Sequence, residues 1–294
     1  MNACDISRVS DLPCRVGELI AQYRKRKSTL HNGGCWSQEE LAFAIGSSQA
    51  RISQIETNQS HPQWLTLARI SDALGLTEYE RKELLVMAGY QAEPGLPNDT
   101  EVASVLFELV PVVDSYPYPA GIMDEGERTW YWNALKFLVW GPCYRVSDRH
   151  AFDTKLKGKR PIEVLFDPEG YQIRYRAWAA YIEDIDNLIT RLVAIFWRAY
   201  RIRPHDPTLI RTLSRLQQNP DFCVIWHQVQ RGERDVHYLE HTTQVAHNPQ
   251  IGRLQFHVWR THPAIDSRFV VVHFTPADSS THEALRRLVE RRGA

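Results

Sequence analysis

The chain has 294 residues, enough for about two domains. With 43% hydrophobic and 24% charged residues, and 35 basic residues balancing 35 acidic ones, it has the composition of an ordinary globular protein. No run of about 18 apolar residues occurs, and the opening MNACDISRVSDLPCR lacks the apolar segment of a signal peptide. A cytoplasmic protein with no membrane span is therefore expected. The five cysteines (Cys4, Cys14, Cys35, Cys143 and Cys223) are scattered, with no C-x-x-C pair, and read as reduced thiols rather than a metal or redox centre.

In chain order, residues 1–12 read as a disordered terminus. A helix over 14–27 places Val16, Leu19, Ile20 and Tyr23 inward and ends in the basic run Arg24–Lys27. The connection STLHNGGCW follows; its His31 and Cys35 are two possible ligands, too few for a metal site. Ser37 with Glu40 forms an S-x-x-E capping box. Leu41, Ala42 and Ile45 then form one apolar face, and Gly46 suits the left-handed end of that helix. Ser48 caps a second short helix over 49–57, with Ile52 and Ile55 inward and Gln49, Ala50, Arg51, Ser53 and Gln54 outward or sideways. Pro62 suits the first turn of a fourth helix carrying Trp64, Leu67, Ile70 and Leu74, ended by Gly75. Thr77 with Glu80 repeats the capping box and opens a fifth, with Leu84, Leu85 and Met87 inward.

The set Gln38, Glu40-Leu41-Ala42, Gly46, Ser48, Ile52-Ser53, Ile55 and Glu56 resembles the helix-turn-helix of the phage-repressor (Xre-type) family. The resemblance implies a five-helix DNA-binding head over 13–90. It places the helix starting at Gln49 in the major groove, with Gln38 on backbone phosphate and Gln49, Ala50, Arg51 and Gln54 facing bases, flanked by Ser48 and Ser53. It also implies an ion pair between Arg24 and Glu56. Asn58 stands where the family usually has glycine, a mild departure because asparagine tolerates the left-handed region. Ten basic and ten acidic residues fall in 1–90. Any affinity for DNA must then come from placed contacts more than from bulk positive charge.

Residues 91–100, rich in proline, glycine and polar groups, read as a linker. A connecting helix over 101–112 follows, then a hairpin in PAGIMDEGERTWYWN. Asn133 caps a helix running to Trp140. A less regular stretch holds a short helix over 161–166. Residues 177–200 read as one long helix that is apolar nearly all round, and helices over 207–217 and 220–229 come next. Period-two alternation then predicts strands over 242–247, 254–261 and 269–275, and a helical tail over 278–294. The fold class expected is mixed: a five-helix head, then an α+β domain over 101–277 with an antiparallel sheet of about five strands. This order resembles a PAS-like sensor domain. Together with the head, the strand pair ending Trp132-Asn133, VLFDPE, Trp178, the stretch DPTLIRTLSRLQQNPDFCVIWHQ, VAHNPQIGRLQF and VVVHFTPAD resemble the MmyB-like transcription regulators.

No G-x-S-x-G, P-loop or G-x-G-x-x-G occurs, so no enzyme is expected. The late histidines (His237, His241, His247, His257, His262 and His273) have no H-E-x-x-H partner, and no metal is expected. Seven of the nine tryptophans lie from Trp130 onward. A domain so rich in rings suits a small apolar ligand such as a fatty acid, lined by Trp132, Phe137, Trp140, Trp178, Tyr181, Phe196, Phe222, Trp226 and Phe256. Arg174, Arg176 or Arg198 is expected to meet its head group. The function expected is a ligand-responsive transcription regulator binding a near-palindromic operator as a homodimer. The rival reading is a regulator whose second domain is a solid-core interaction or dimerisation module.

Overall fold

The computed structural model describes residues 15–27, 35–91, 95–167, 169–234 and 241–293. The terminus 1–12, Cys4, Cys14, His31 and His237 lie outside the described residues. The chain divides into two compact units, one built mainly on residues 5–94 and one mainly on 95–294.

The first unit is helical: α1 (Val16–Arg26), α2 (Gln38–Ala44), α3 (Gln49–Glu56), α4 (Trp64–Leu74) and α5 (Glu78–Met87). The starts of α2 and α5 are set by a local donor–acceptor exchange. The Ser37 hydroxyl accepts from Glu40 N at 3.1 Å while the Glu40 carboxylate accepts from Ser37 N at 2.6 Å, and Thr77 and Glu80 repeat the exchange. Such a reciprocal cap satisfies two backbone donors that a helix start leaves without partners. Leu19, Ile20, Leu41, Ile52, Ile55, Ile70 and Leu84 form the core. Helix α1 lies very close to the end of α3. A Cβ on Gly17 would fall 2.1 Å from the Ile55 carbonyl oxygen. The Asn58 backbone is left-handed (φ 56°), and its side-chain oxygen accepts from Gly17 N at 3.0 Å. In that position asparagine also satisfies an orphan donor of α1, which glycine could not do.

One expectation for this unit fails. Helix α4 begins at Trp64 behind the N-cap Gln63, so Pro62 lies before the cap. Its carbonyl accepts from the Tyr90 hydroxyl at 3.0 Å. Trp64 is 55% exposed, not inward. Side chains lean toward the N-terminal end of a helix, so a residue at the first position projects past the element instead of onto the core.

The second unit runs α6 (Asp99–Asp114), β1 (Ala120–Asp124), β2 (Thr129–Trp132), α7 (Ala134–Tyr144), α8 (Arg149–Lys155), α9 (Pro161–Leu165), α10 (Tyr171–Tyr181), α11 (Ile185–Ile202), α12 (Pro207–Leu216), α13 (Pro220–Gln230), β3 (His241–Asn248), β4 (Gly252–Thr261), β5 (Phe269–Pro276) and α14 (Ser279–Gly293). The strands form one antiparallel sheet in the order β2-β1-β5-β4-β3. The early hairpin thus joins the late three strands through β1 and β5, with Gly121 opposite Val272. Val102, Val105, Leu109 and Val113 of α6 cover one sheet face through Ala120, Ile122, Phe269 and Val271. Alternation sends Gly121, Val272 and Phe274 to the other face, where α7 packs. The tail is docked: α14 lies on β4 and β5, buries Leu285 and Leu288, and the Thr281 hydroxyl accepts from Gln255 N at 2.9 Å.

Three expectations here are corrected. The long helix over 177–200 is two helices. Ile182 is extended and bridges Ala246 at the sheet edge, and Glu183 N donates to the Val245 carbonyl at 3.2 Å. The Asp184 carboxylate then accepts from Asn187 N at 3.2 Å and starts α11. Helix α7 runs past Trp140 to Tyr144 through Pro142. Proline has no N–H for the carbonyl four residues earlier; the Asn248 side chain donates to the Leu138 and Val139 carbonyls instead, at 3.1 and 3.2 Å. Helix α8, capped by Asp148 on Ala151 N at 2.8 Å, falls in the stretch expected to be irregular.

Candidate DNA-binding face and ligand site

The base of the candidate DNA-binding face is a buried network. Arg24 grips Glu56 with two bonds, Nε to Oε1 at 2.6 Å and Nη2 to Oε2 at 2.8 Å. The Gln38 amide donates to the same Oε2 at 2.8 Å, and Arg24 Nη1 donates to the Trp36 carbonyl. The bond to Glu56 holds the Arg24 pKa above its ordinary value. The network ties the end of α1, the start of α2 and the last residue of α3 into one piece. A planar guanidinium suits such bidentate gripping of a carboxylate.

On that base, Gln49, Ala50 and Gln54 are exposed along α3, and Arg51 and Ser53 are half-buried. The Ser48 hydroxyl accepts from Arg51 N at 3.2 Å, which makes it a cap first. Arg51 turns back to donate through Nη1 to the Ser60 hydroxyl, so its guanidinium is steered by the loop after α3. Gln38 directs one amide hydrogen to Glu56, and its amide nitrogen carries a second.

In the second unit the nine ring residues expected around a ligand do not form one group. Trp132, Phe137, Tyr144 and Phe152 pack together, with Trp132 centroid distances of 5.7, 5.2 and 5.5 Å to the other three, and Trp178 joins through Tyr144 at 4.7 Å. Trp140 meets Phe274, Tyr181 and Phe256 at 5.3, 5.9 and 6.3 Å. Phe196, Phe222 and Trp226 form a third group between α11 and α13, with Trp226 at 5.8 Å from Phe196 and 5.4 Å from Phe222. The Tyr181 hydroxyl donates to the Val139 carbonyl and accepts from Asn248 at 2.7 Å, which fits a structural role. Trp140 and Trp226 differ from it: each indole N–H is buried without an acceptor among the described residues.

The expected head-group arginines have other surroundings. Arg174 donates to the Leu165 and Asp167 carbonyls, Arg176 is exposed, and Arg198 is buried in α11. The sequence reading passed over Lys136. This lysine is only 5% exposed. Its ammonium lies 5.2 Å from the Trp132 ring centroid and 4.9 Å from that of Phe274. A Cβ on Gly121 would come 2.7 Å from the Tyr131 carbonyl oxygen and 2.8 Å from Nζ, so Nζ lies close over the backbone of β1. Burial pushes the Lys136 pKa down to about 7, with Arg260 adding to the shift and Glu127 opposing it. Glu127 is ion-paired with Arg260. Arg191 of α11 is pushed down to about 10, by burial first and by Arg260 second. His273 is held below its usual value by burial and then by Lys136. Lys136 could have been noticed as the one charge inside the apolar run of the helix after Asn133, four residues before Trp140.

Among the described residues no group of three histidine, cysteine or acidic side chains gathers as a metal site. Cys35 and Cys143 are free thiols. No helix among the described residues is long and apolar enough to cross a membrane.

Comparison with known families gives two matches. Residues 108–288, more than half of the chain, match the family model described as the MmyB-like transcription regulator ligand binding domain. Residues 36–80 match the model described as helix-turn-helix. No curated protein matches the chain.

Proposed function

The chain belongs to the MmyB-like transcription regulators, and on that premise we propose that it is a one-component switch in which an elongated apolar ligand of the fatty-acid kind, held in the second unit, controls operator binding by the first. Its domains make it a DNA-binding, ligand-responsive regulator, and neither matched family is an enzyme family. Helix α3 enters the major groove, with Gln49 and Gln54 reading base edges, Ala50 available to a thymine methyl, and Arg51 and Ser53 at the side of the groove. The head covers one half-site, so two copies act on a near-palindrome. The strand order β2-β1-β5-β4-β3, with helices inserted between the early hairpin and the late strands, supports a PAS-like reading of the sensor. The work is done in the cytoplasm, where the operator is.

The observation that carries the ligand reading is the Trp140 indole N–H. It is buried among the rings of Tyr181, Phe256 and Phe274 with no acceptor among the described residues. A buried donor without a partner costs about 1–3 kcal/mol, and a ligand oxygen would satisfy it. Native mass spectrometry of the purified protein, with and without added fatty acid, tests this. A co-purifying or saturable apolar mass of one per chain is expected, and the absence of any such adduct refutes the ligand half.

One feature favours the rival, an interaction module. Phe107 is 81% and Val112 62% exposed on α6, apolar surface suited to a second copy or a partner protein. Operator binding that ignores every apolar ligand, together with loss of self-association in Phe107→Glu, would decide for it.

A further inference from the structure

We infer that Arg51 is a phosphate anchor and not a base reader, and that Ser60, in the loop after α3, is the residue that positions it. This rests on the reading of α3 as the helix that enters the major groove, and it assigns roles within that helix.

At about 100° per residue, Gln49, Ala50 and Gln54 share one outward arc of α3, and Arg51 lies about 60° past Gln54, on the side of the buried Ile55. Gln49, Ala50 and Gln54 are exposed, whereas Arg51 is half-buried. A helix lying in a major groove has base edges under the middle of its outward arc and phosphates along the two walls. Arg51 stands on the wall side.

Its side chain is held there before any DNA arrives. Arg51 Nη1 donates to the Ser60 hydroxyl. Ser60 is itself fixed to α3: its N–H donates to the Gln54 carbonyl at 3.1 Å, and the Gln59 N–H reaches the same carbonyl at 2.8 Å. At one end of this loop Asn58 accepts from Gly17 N of α1 at 3.0 Å, and at the other the Pro62 carbonyl accepts from the Tyr90 hydroxyl at 3.0 Å. A guanidinium aimed in advance loses little side-chain freedom when it meets its partner.

The choice of a hydroxyl as the holding group matters for charge. A carboxylate in the place of Ser60 would cancel the positive charge, while a hydroxyl orients it and leaves it intact. Glu56, the one acid in α3, is taken by Arg24 and Gln38. Arg51 has no ion pair among the described residues. Of the five N–H groups on a guanidinium, one is directed to Ser60 and the rest are left for an outside acceptor. In a head whose basic and acidic residues balance, a placed cation of this kind is what a phosphate contact requires.

The test uses the full chain and a duplex that it selects from a randomised library. Binding to that duplex and to its single-base-pair variants is measured over a series of salt concentrations, after each protein variant is checked for the wild-type melting temperature. Arg51→Ala is expected to weaken every duplex by the same factor, about tenfold. It should also lower the slope of log affinity against log salt by about one per head and leave the order of preference unchanged. Arg51→Lys is expected to keep the slope. Ser60→Ala keeps the charge but frees it, and is expected to weaken all duplexes by about threefold, with Ser60→Thr restoring wild-type affinity. A preference altered at one base pair in Arg51→Ala makes Arg51 a base reader and overturns the anchor, as does an unchanged salt slope. Wild-type affinity in Ser60→Ala overturns the positioning role. Selection of no duplex by the wild type overturns the reading of α3 itself.

Discussion

Replacing Lys136 by methionine should make the ligand-free protein more stable. In the folded chain the lysine pKa stands at about 7 against 10.5 for the ordinary side chain, and burial is the main cause. At about 1.4 kcal/mol for each tenfold change in an equilibrium constant, that difference corresponds to about 5 kcal/mol against the folded state at neutral pH. The two ring faces beneath the ammonium each contribute about 0.5–1 kcal/mol in the opposite direction, and methionine keeps most of the apolar stem. A net gain of about 3 kcal/mol follows for Lys136→Met at pH 7, large against typical domain stabilities. The pH dependence has a definite sign. At pH values well below 7 both folded and unfolded wild type are protonated, and the full penalty applies. Between about 7 and 10.5 the unfolded chain binds more protons, so wild-type stability rises with pH and the advantage of the variant shrinks. Urea unfolding of delipidated protein, followed by tryptophan fluorescence at pH 7 and 9.5, reads this out. Seven of the nine tryptophans report on the second unit. A variant no more stable than wild type at pH 7, or equally stabilised at both pH values, would refute the picture of an unpaired buried ammonium.

Three further outcomes concern the head. Glu56→Ala removes the carboxylate that Arg24 grips with two bonds. The stranded guanidinium should cost about 3–5 kcal/mol, read as a drop in the melting temperature of the helical unit; an unchanged melt contradicts the lock. Gly17→Ala places a methyl group 2.1 Å from the Ile55 carbonyl oxygen, so α1 must back away from α3. Destabilisation by about 1–3 kcal/mol and weakened binding to every DNA sequence are expected, and a wild-type melting temperature would show that the helices are not packed this closely. Gln54→Ala, on the exposed side of α3, should leave stability unchanged and lose about 1–3 kcal/mol of discrimination at one base position. A gel-shift series across operator variants checks it, and an unaltered preference order counts against α3 as the reader.

Much of the fold was legible because its signals are local. Ser37–Glu40 and Thr77–Glu80 mark helix starts with donors and acceptors three residues apart, and the apolar face of each short helix follows from spacing alone. The late strands announce themselves by alternation. The long helix over 177–200 was misread because its interruption is not local. Ile182 and Glu183 leave the helix to bond β3, more than sixty residues on in the sequence. The same holds for α7, whose passage through Pro142 depends on the amide of Asn248.

The ligand site divides along the same line. The abundance of rings is a property of composition. Their sorting into separate groups depends on which face of α7, α11 and the sheet each occupies. The sequence by itself determined a capped helix-turn-helix with short polar side chains outward and an antiparallel sheet assembled from both ends of the second unit, because caps and periodicities act between near neighbours. Only the tertiary structure decided that Lys136, an unremarked letter in an apolar run, faces Gly121 between two rings. Whether a buried charge is paired is settled by groups brought from β1, the turn after it, β4 and β5, and no spacing along the chain records their arrangement.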